Sequence, residues 1–283
     1  MVGTLFVVAT PIGNLEDITH RALRVLRDAA VIAAEDTRRT ARLLAHYAIT
    51  TPATSLHEHN EAEKTPKLLA RLQQGDSVAL VSDAGTPTVS DPGRRLIAAA
   101  VAAGIRVEPI PGPSAVVAAL SVSGLPSEMF SFLGFPPIKA AVRTAWFERM
   151  RQIGGTVVFF EAPHRIRTTL TQLRDAFGDR CNIALCREMT KYHEELVVGP
   201  IDAIIDGLRE PKGEYTVVVD LGHTIDTASP EAPCDQAVLD LFGRITGTAG
   251  LSRRQVIAEV ARRLHLRPNE VYAILERAKN SVI

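Results

Sequence analysis

The chain has 283 residues, 46% of them hydrophobic and 23% charged, enough for two globular domains and a small appendage. Thirty-two basic residues balance thirty-two acidic ones, so no global charge draws a polyanion to the whole molecule. From Asp235 onward eight Lys/Arg stand against five Asp/Glu, leaving 24 against 27 before it; any nucleic-acid role therefore falls to the tail or to local patches.

In chain order, "TLFVVA" (4–9) reads as a strand, and Thr19 caps a predicted helix through "HRALRVLRDA". "VIAAE" (31–35) follows, then a helix over "DTRRTARLLAHY" with Ala41, Leu44 and Ala45 on its inner face, and a further helix ending near Gly75. "SVALVS" is the third strand, "GRRLIAAAVAAG" a helix, and "RVEPI" a fourth strand. Apolar strands alternating with helices predict a parallel sheet covered on both faces. Beyond "SAVVAALSVSGL" come five more strand candidates, "EMFSFLGF", "TVVFFEA", "NIALCREMT", "EELVVG" and "EYTVVVDL", which predict a second α/β domain with a mixed sheet. The expected organisation is an N-terminal α/β domain over 1–115, a second over 116–222, a Pro/Ser/Thr-rich linker over 223–234 and an all-helical unit over 235–283.

The N-terminal apolar run is too short for a signal sequence, and no stretch approaches the roughly 20 apolar residues of a membrane span. Cys181, Cys186 and Cys234 are odd in number and form no CxxC pair. A reducing cytoplasm is the expected setting.

Three Gly/Pro-rich loops follow predicted strands: Thr10–Asn14, Ser82–Pro92 and Pro111–Ser114. Ligands gather at the carboxyl ends of parallel strands. Neither GxGxxG nor GxxxxGK[ST] is present, and lysine is missing from all three loops, which excludes a phosphate-gripping site. Small residues and prolines instead bring rigid backbone close to a ligand, one with a flat heterocycle, a zwitterionic end and a soft positive centre. Asp83 and Asp91 could together hold magnesium, but no phosphate-binding group accompanies them. Asp83 is expected to face the ligand, and Asp91, before Pro92 and Gly93, to cap the next helix.

"HEHN" (57–60), read as two imidazoles on one side of an extended strand, and "KYHEE" (191–195) are both expected to be polar surface, with no metal. "FFEAPHRI" (159–166) carries two readings: a capped helix start, or a carboxylate and a cation facing the first domain's pocket. "PPIKAAVRTAWFERMRQ" (136–152) places Lys139, Arg143, Arg149 and Arg151 around Trp146 and Phe147, a mixture suited to RNA or to an amphipathic helix that buries its tryptophan. The tail has a helix-turn-helix layout, with Arg253 and Arg254 in one helix, Ala258 and Val260 inward, and Arg267–Pro268 opening the next; these three arginines are expected to contact RNA, although small three-helix units also serve as protein-docking modules.

"LFVVATPIGNLEDIT", "AEDTRRTARLL", "VSDAGTPTVSDPG", "PIPGPSA", "FEAPHR" and "CREMTKYHEE", in this order, resemble the ribosomal RNA small subunit methyltransferase I family, a branch of the tetrapyrrole methylase superfamily, over nearly the whole chain. The resemblance implies two α/β domains with S-adenosyl-L-methionine in the cleft between them, a homodimer, and 16S rRNA or the 30S subunit as partner. The implied reaction is methylation of the ribose 2′-hydroxyl of a decoding-centre cytidine. Carried over by position, Pro11, Ile12, Asp83, Thr86, Ser114, Ala115, Phe160, Ala162 and Thr216 would bind the cofactor. Lys191 and Glu161 are the favoured catalytic groups, ahead of Asp36, Glu188 and His193. Other superfamily members methylate tetrapyrrole carbons and one modifies a protein histidine, so the acceptor stays open at this level.

Overall fold

The strands of the first half alternate strictly in what they touch. Leu5, Val31, Ala33, Val78 and Leu80 enter one apolar core, whereas Val8, Ile32, Ala34, Ala79 and Val81 enter another. Side chains with a period of two reach opposite faces, so both faces of this sheet are covered. In the computed structural model, which describes residues 2–178, 181–209, 211–222, 235–248, 252–264 and 268–280, these strands are β1 (Thr4–Val8), β2 (Val31–Ala34), β4 (Val78–Val81) and β5 (Arg106–Ile110). A short edge strand, β3 (Ala53–Ser55), joins them in the order β3-β2-β4-β1-β5, every pair parallel. Helices α1 (His20–Asp28) and α2 (Thr37–His46) contribute to one core, α3 (Glu61–Gln73) and α4 (Arg94–Ala102) to the other.

Thr19 caps α1 as expected, its hydroxyl accepting from the Ala22 N–H at 3.1 Å. The buried face of α2 is Thr40, Leu43 and Leu44, not Ala41, Leu44 and Ala45; both alanines are exposed. Thr40, Leu43 and Leu44 recur at the three- and four-residue spacing of one helix face, and Ala41 and Ala45, four apart, fall on the other.

All five strand candidates of the second half form: β6 (Phe130–Phe132), β7 (Thr156–Glu161), β8 (Asn182–Arg187), β9 (Glu195–Pro200) and β10 (Tyr215–Asp220). Their order is β6-β7-β10-β8-β9; β6 pairs with β7 in parallel and the rest are antiparallel. One face packs on α6 (Ala140–Ile153), α7 (Pro163–Phe177) and α8 (Ile201–Gly207), and the other on α5 (Ala115–Ser123).

The chain divides into two compact units, Met1–Thr224 and Ile225–Ile283. Both sheets belong to the first. In the second, α9 (Asp235–Thr248), α10 (Arg253–Arg263) and α11 (Pro268–Asn280) close around Val238, Ile245, Val256, Val260, Val271 and Leu275. Val260 points inward as expected, but Ala258 is exposed. The 223–234 linker and Arg267 lie outside the described residues. Among the described residues no helix is long and apolar enough to cross a membrane.

Candidate active site

Because β1, β2, β4 and β5 are parallel, their carboxyl ends open at one edge of the sheet, and the three Gly/Pro-rich loops meet there. Thr10 and Gly85 exchange both backbone hydrogen bonds, each at 2.9 Å. The Thr10 hydroxyl donates to the Ser82 carbonyl at 3.2 Å, and the Thr86 hydroxyl donates to the Pro113 carbonyl at 3.1 Å. Gly85 has φ +79°, a left-handed conformation that strains any residue with a Cβ. A reciprocal clasp joins β2 to β4: the Asp83 N–H donates to Glu35 Oε2 at 3.2 Å, and the Asp36 N–H donates to Asp83 Oδ1 at 3.0 Å. Arg39 stands 3.4 Å from the other Asp83 oxygen.

The second sheet supplies the facing wall. Cross-strand register places Thr216 opposite Phe160 and Tyr215 opposite Glu161, so the end of β7 and the start of β10 arrive together. Glu161 is 1% exposed and its carboxylate is fully engaged. Oε1 accepts from the Ala162 N–H at 2.7 Å and pairs with the Arg165 guanidinium at 2.5 Å; Oε2 accepts from the Thr169 hydroxyl at 2.6 Å. This arrangement locks the turn from β7 into α7. Of the two readings of "FFEAPHRI", α7 has no side-chain cap, and the carboxylate of Glu161 borders the cavity while its cation, Arg165, is not on the lining.

A third structural piece is the segment between β8 and β9. The Lys191 ammonium donates to Glu188 Oε1 and Glu214 Oε2, both at 2.9 Å. Burial alone would lower its pKa, but the two carboxylates outweigh that and hold it above the ordinary lysine value. Lys191 is therefore a fixed cation at neutral pH, not a base. Its loop docks on the first Gly/Pro loop: the Asn14 N–H donates to the Thr190 hydroxyl at 3.0 Å, and a Cβ on Gly13 would lie 2.5 Å from Lys191 Cγ. Glu188 and Thr190 hold positive φ, as do Thr88 and Ser90 in the second loop. Left-handed non-glycine residues, and a β-branched one above all, persist only where the surroundings over-determine them.

These elements enclose a cavity of about 380 Å³, within the range of small-ligand sites (roughly 300–1,000 Å³). Ile12, Asp83, Thr86, Ser114, Ala115, Phe160, Ala162 and Thr216 all line it, as does Glu161. Pro11 does not; it lies in a smaller adjoining cavity behind Arg39 and Asp83. Lys191 is not on the lining, although its neighbours Met189 and Glu214 are. The charge of the walls is lopsided: Glu35, Asp83, Asp91, Glu161 and Glu214 against Arg39 alone. Sequence reasoning passed over Glu35, Arg39 and Phe135. Glu35 lies in the short β2–α2 connection and Arg39 in the first turn of α2, and neither place carries a Gly/Pro signal.

Asp91 is a correction. It does not cap α4: Gly93 occupies that position, and Glu61 Oε1 accepts from the Gly93 and Arg95 N–H groups at 3.2 and 2.6 Å. Freed from capping, Asp91 lines the cavity. Burial pushes its carboxyl up to about 6; the Ser82 hydroxyl opposes this, and the charges of Glu35 and Asp83 add to it. A folded-state pKa above the unfolded value means that its contribution to stability is full below pH 4 and lost as pH rises through 6. Asp91→Asn is therefore expected to stabilise the fold at pH 7.5 by about 1 kcal/mol after allowing for partial exposure, and so to raise the melting temperature there, with little effect at pH 4. Thermal unfolding of both proteins at the two pH values checks this.

The basic segment is mixed in use. Trp146 and Phe147 are buried core residues, so the expected base-stacking role for them is not open. Lys139, Arg149 and Arg254 are exposed, and Arg143 is half-buried. Arg151 donates to the Ala176 carbonyl at 2.7 Å and lies over the Phe177 ring, while Arg253 pairs with Glu276 at 2.8 Å. "HEHN" forms a turn before α3, not an extended strand, and its imidazole centroids stand 6.1 Å apart. Among the described residues no group of three or more His, Cys, Asp or Glu is placed to hold a metal ion.

Residues 4–205 match the family model of tetrapyrrole (corrin/porphyrin) methylases. The chain is 44% identical to ribosomal RNA small subunit methyltransferase I of Pseudomonas aeruginosa, over 87% of this chain and 93% of that one. The chain belongs to the ribosomal RNA small subunit methyltransferase I family. The member from Synechocystis sp. is 42% identical over 96% of this chain and 97% of its own. Uroporphyrin-III C-methyltransferase of Thermus thermophilus, solved with S-adenosyl homocysteine, shares the tetrapyrrole methylase fold at 19% identity and a TM-score of 0.56, covering 77% of this chain and 97% of that one. The methylase match runs from β1 into α8, so it contains all three loops, the β7–α7 turn and the Lys191 segment, and leaves out the helical tail.

Proposed function

We propose that the chain transfers a methyl group from S-adenosyl-L-methionine to the ribose 2′-hydroxyl of a decoding-centre cytidine in 16S rRNA, acting in the cytoplasm on the 30S subunit. The observation that carries the cofactor is the charge of the cavity: five carboxylates, one guanidinium already beside Asp83, and no lysine on the walls. A sulfonium and an ammonium suit such walls, and a triphosphate does not. Bound there, the cofactor supplies an electrophilic methyl group.

The protein's own contribution is placement. Ile12, Thr86, Ser114 and Ala115 from the first sheet, and Phe160, Ala162 and Thr216 from the second, fix the ligand between rigid elements. Ser114 makes no side-chain bond to α5, which leaves its hydroxyl for the cavity. Positioning of this kind supplies several kcal/mol in a displacement that needs little covalent help. Lys191, charged at neutral pH beside Glu214, is suited to stabilise negative charge developing on the acceptor oxygen. Glu161, with both oxygens engaged, acts by holding Phe160 and Ala162 in place.

The relatives' names supply the acceptor class, and the cavity argues against a tetrapyrrole one: its lining offers a polycarboxylate ring five carboxyl groups and only Arg39 as a cation, and that guanidinium already faces Asp83. The exposed cations of α6 and the basic helical tail suit rRNA phosphates. Deleting residues 235–283 is expected to leave the calorimetric affinity for S-adenosylmethionine unchanged and to weaken 30S binding at least tenfold, the loss shrinking as salt rises. Undiminished 30S affinity would assign the tail to docking or assembly.

A further inference from the structure

The cavity and the helix that follows its Phe135 loop differ in charge. Inside, carboxylates dominate; outside, Lys139 is exposed at the N-terminal end of α6 and Arg149 lies further along that helix. Between the two regions stands Phe135, which lines the cavity yet is 54% exposed. Large aromatic rings seldom stay half in water without a partner, and each buries 150–250 Å² when covered.

This ring is held on a stiff mount. Gly134 has φ +63° and its carbonyl accepts from the Phe160 N–H at 3.0 Å, which ties the loop to β7. Pro136 and Pro137 follow immediately and restrict the backbone beyond it. The Phe160 ring backs it, centroid to centroid 5.5 Å at 58°. A Cβ on Gly134 would lie 3.4 Å from Ser90 Oγ, so the Phe135 loop and the strained Thr88–Ser90 segment lie against each other. Phe135 and the partly exposed Val89 both line the cavity, which gives this part of its wall an aromatic ring and a branched aliphatic.

We infer that Phe135 is the stacking platform for the nucleobase of the acceptor nucleotide, which enters extruded from its helix with its phosphates left outside on Lys139 and α6. This rests on the reading of the chain as an rRNA methyltransferase. The difference in charge favours this arrangement: the carboxylates of the cavity walls disfavour a phosphodiester and the cations of the α6 segment attract one, whereas a base and its sugar carry no formal charge. The minor groove of an RNA helix displays 2′-hydroxyls, but an unstacked nucleotide brings its ribose deeper into a concave site, and RNA readers hold such splayed bases on aromatic faces. A ring already exposed and rigid holds the base at little cost in ordering.

The test compares wild type, Phe135→Ala, Phe135→Leu and Phe135→Trp for steady-state methylation of 30S subunits, with S-adenosylmethionine affinity read separately by calorimetry. Stacking is worth about 1–3 kcal/mol per base, so Phe135→Ala is expected to raise KM for 30S subunits roughly tenfold or more. Cofactor affinity should stay unchanged, Phe135→Trp should restore KM, and Phe135→Leu should not. The inference is overturned if Phe135→Ala leaves KM as it was, if Leu serves as well as Trp, or if cofactor affinity falls in step with KM, which would make the ring part of the cofactor wall. A wild-type protein that binds the cofactor but methylates no rRNA overturns the functional reading itself and the inference with it. An active wild type with an equally active Phe135→Ala overturns the inference alone.

Discussion

Glu161→Ala is expected to destabilise the first unit by about 3–5 kcal/mol, the range for removing one partner of a buried ion pair. The substitution leaves the Arg165 guanidinium, 16% exposed, without its carboxylate, and strands the Ala162 N–H and the fully buried Thr169 hydroxyl. Each orphaned buried donor costs roughly 1–3 kcal/mol. Urea unfolding with tryptophan fluorescence reads the change, because Trp146 packs against Phe159 in the same strand, ring centroids 5.3 Å apart. Glu161→Gln is expected to recover part of the loss, since an amide oxygen still accepts from Ala162 while the charge beside Arg165 is gone. A destabilisation below 1 kcal/mol in the alanine variant would show that the carboxylate is not the bolt of this turn. That result would reopen Glu161 as a candidate catalytic group.

The second large effect concerns Lys191. Lys191→Ala is expected to lower kcat about 100-fold, the scale for losing one electrostatic stabiliser of a developing anion, while the dissociation constant for S-adenosylmethionine changes less than about threefold. The reason for the split is position. The ammonium lies off the cavity lining but within 2.9 Å of Glu214, which is on it. Removing the cation also leaves Glu188 and Glu214 facing each other across the bond from the Glu214 N–H to Glu188 Oε1 at 2.9 Å, so Lys191→Arg is the control that keeps the charge. Single-turnover kinetics under saturating cofactor checks the prediction. Unchanged turnover in the alanine variant would remove Lys191 from the chemistry.

Much of this arrangement was legible in the residues, and the misses share physical causes. The cores of β1, β2 and β4 announce themselves because every residue of a doubly covered parallel strand is apolar. β3 does not: Ala53–Ser55 is three residues long, polar, and needs only one neighbour at the sheet edge. The three loops at one edge were readable because glycine and proline mark them. The short β2–α2 connection that brings Glu35 and Arg39 into the same cavity carries no such mark.

Asp91 shows the limit of local rules most clearly. A carboxylate just before a helix is normally its cap, but Glu61, thirty residues upstream, reaches Gly93 and Arg95 instead and frees Asp91 for the cavity. A long-range contact decided a local question. Trp146 and Phe147 went the other way: alternation with arginines suggested an RNA face, and helical periodicity buried both rings. Phe135 had no pattern to betray it, standing in a Gly-Pro loop outside any period.

If the acidic cleft between the two sheets serves methyl transfer to a ribose oxygen of small-subunit rRNA, the methyl group itself reports the acceptor atom. Incubating the protein with 30S subunits and methyl-labelled S-adenosylmethionine, then mapping the label by nuclease digestion, tests it most directly. The account predicts one labelled cytidine in 16S rRNA, with the methyl on its ribose. Label on a base carbon or nitrogen, or on ribosomal protein alone, would contradict it.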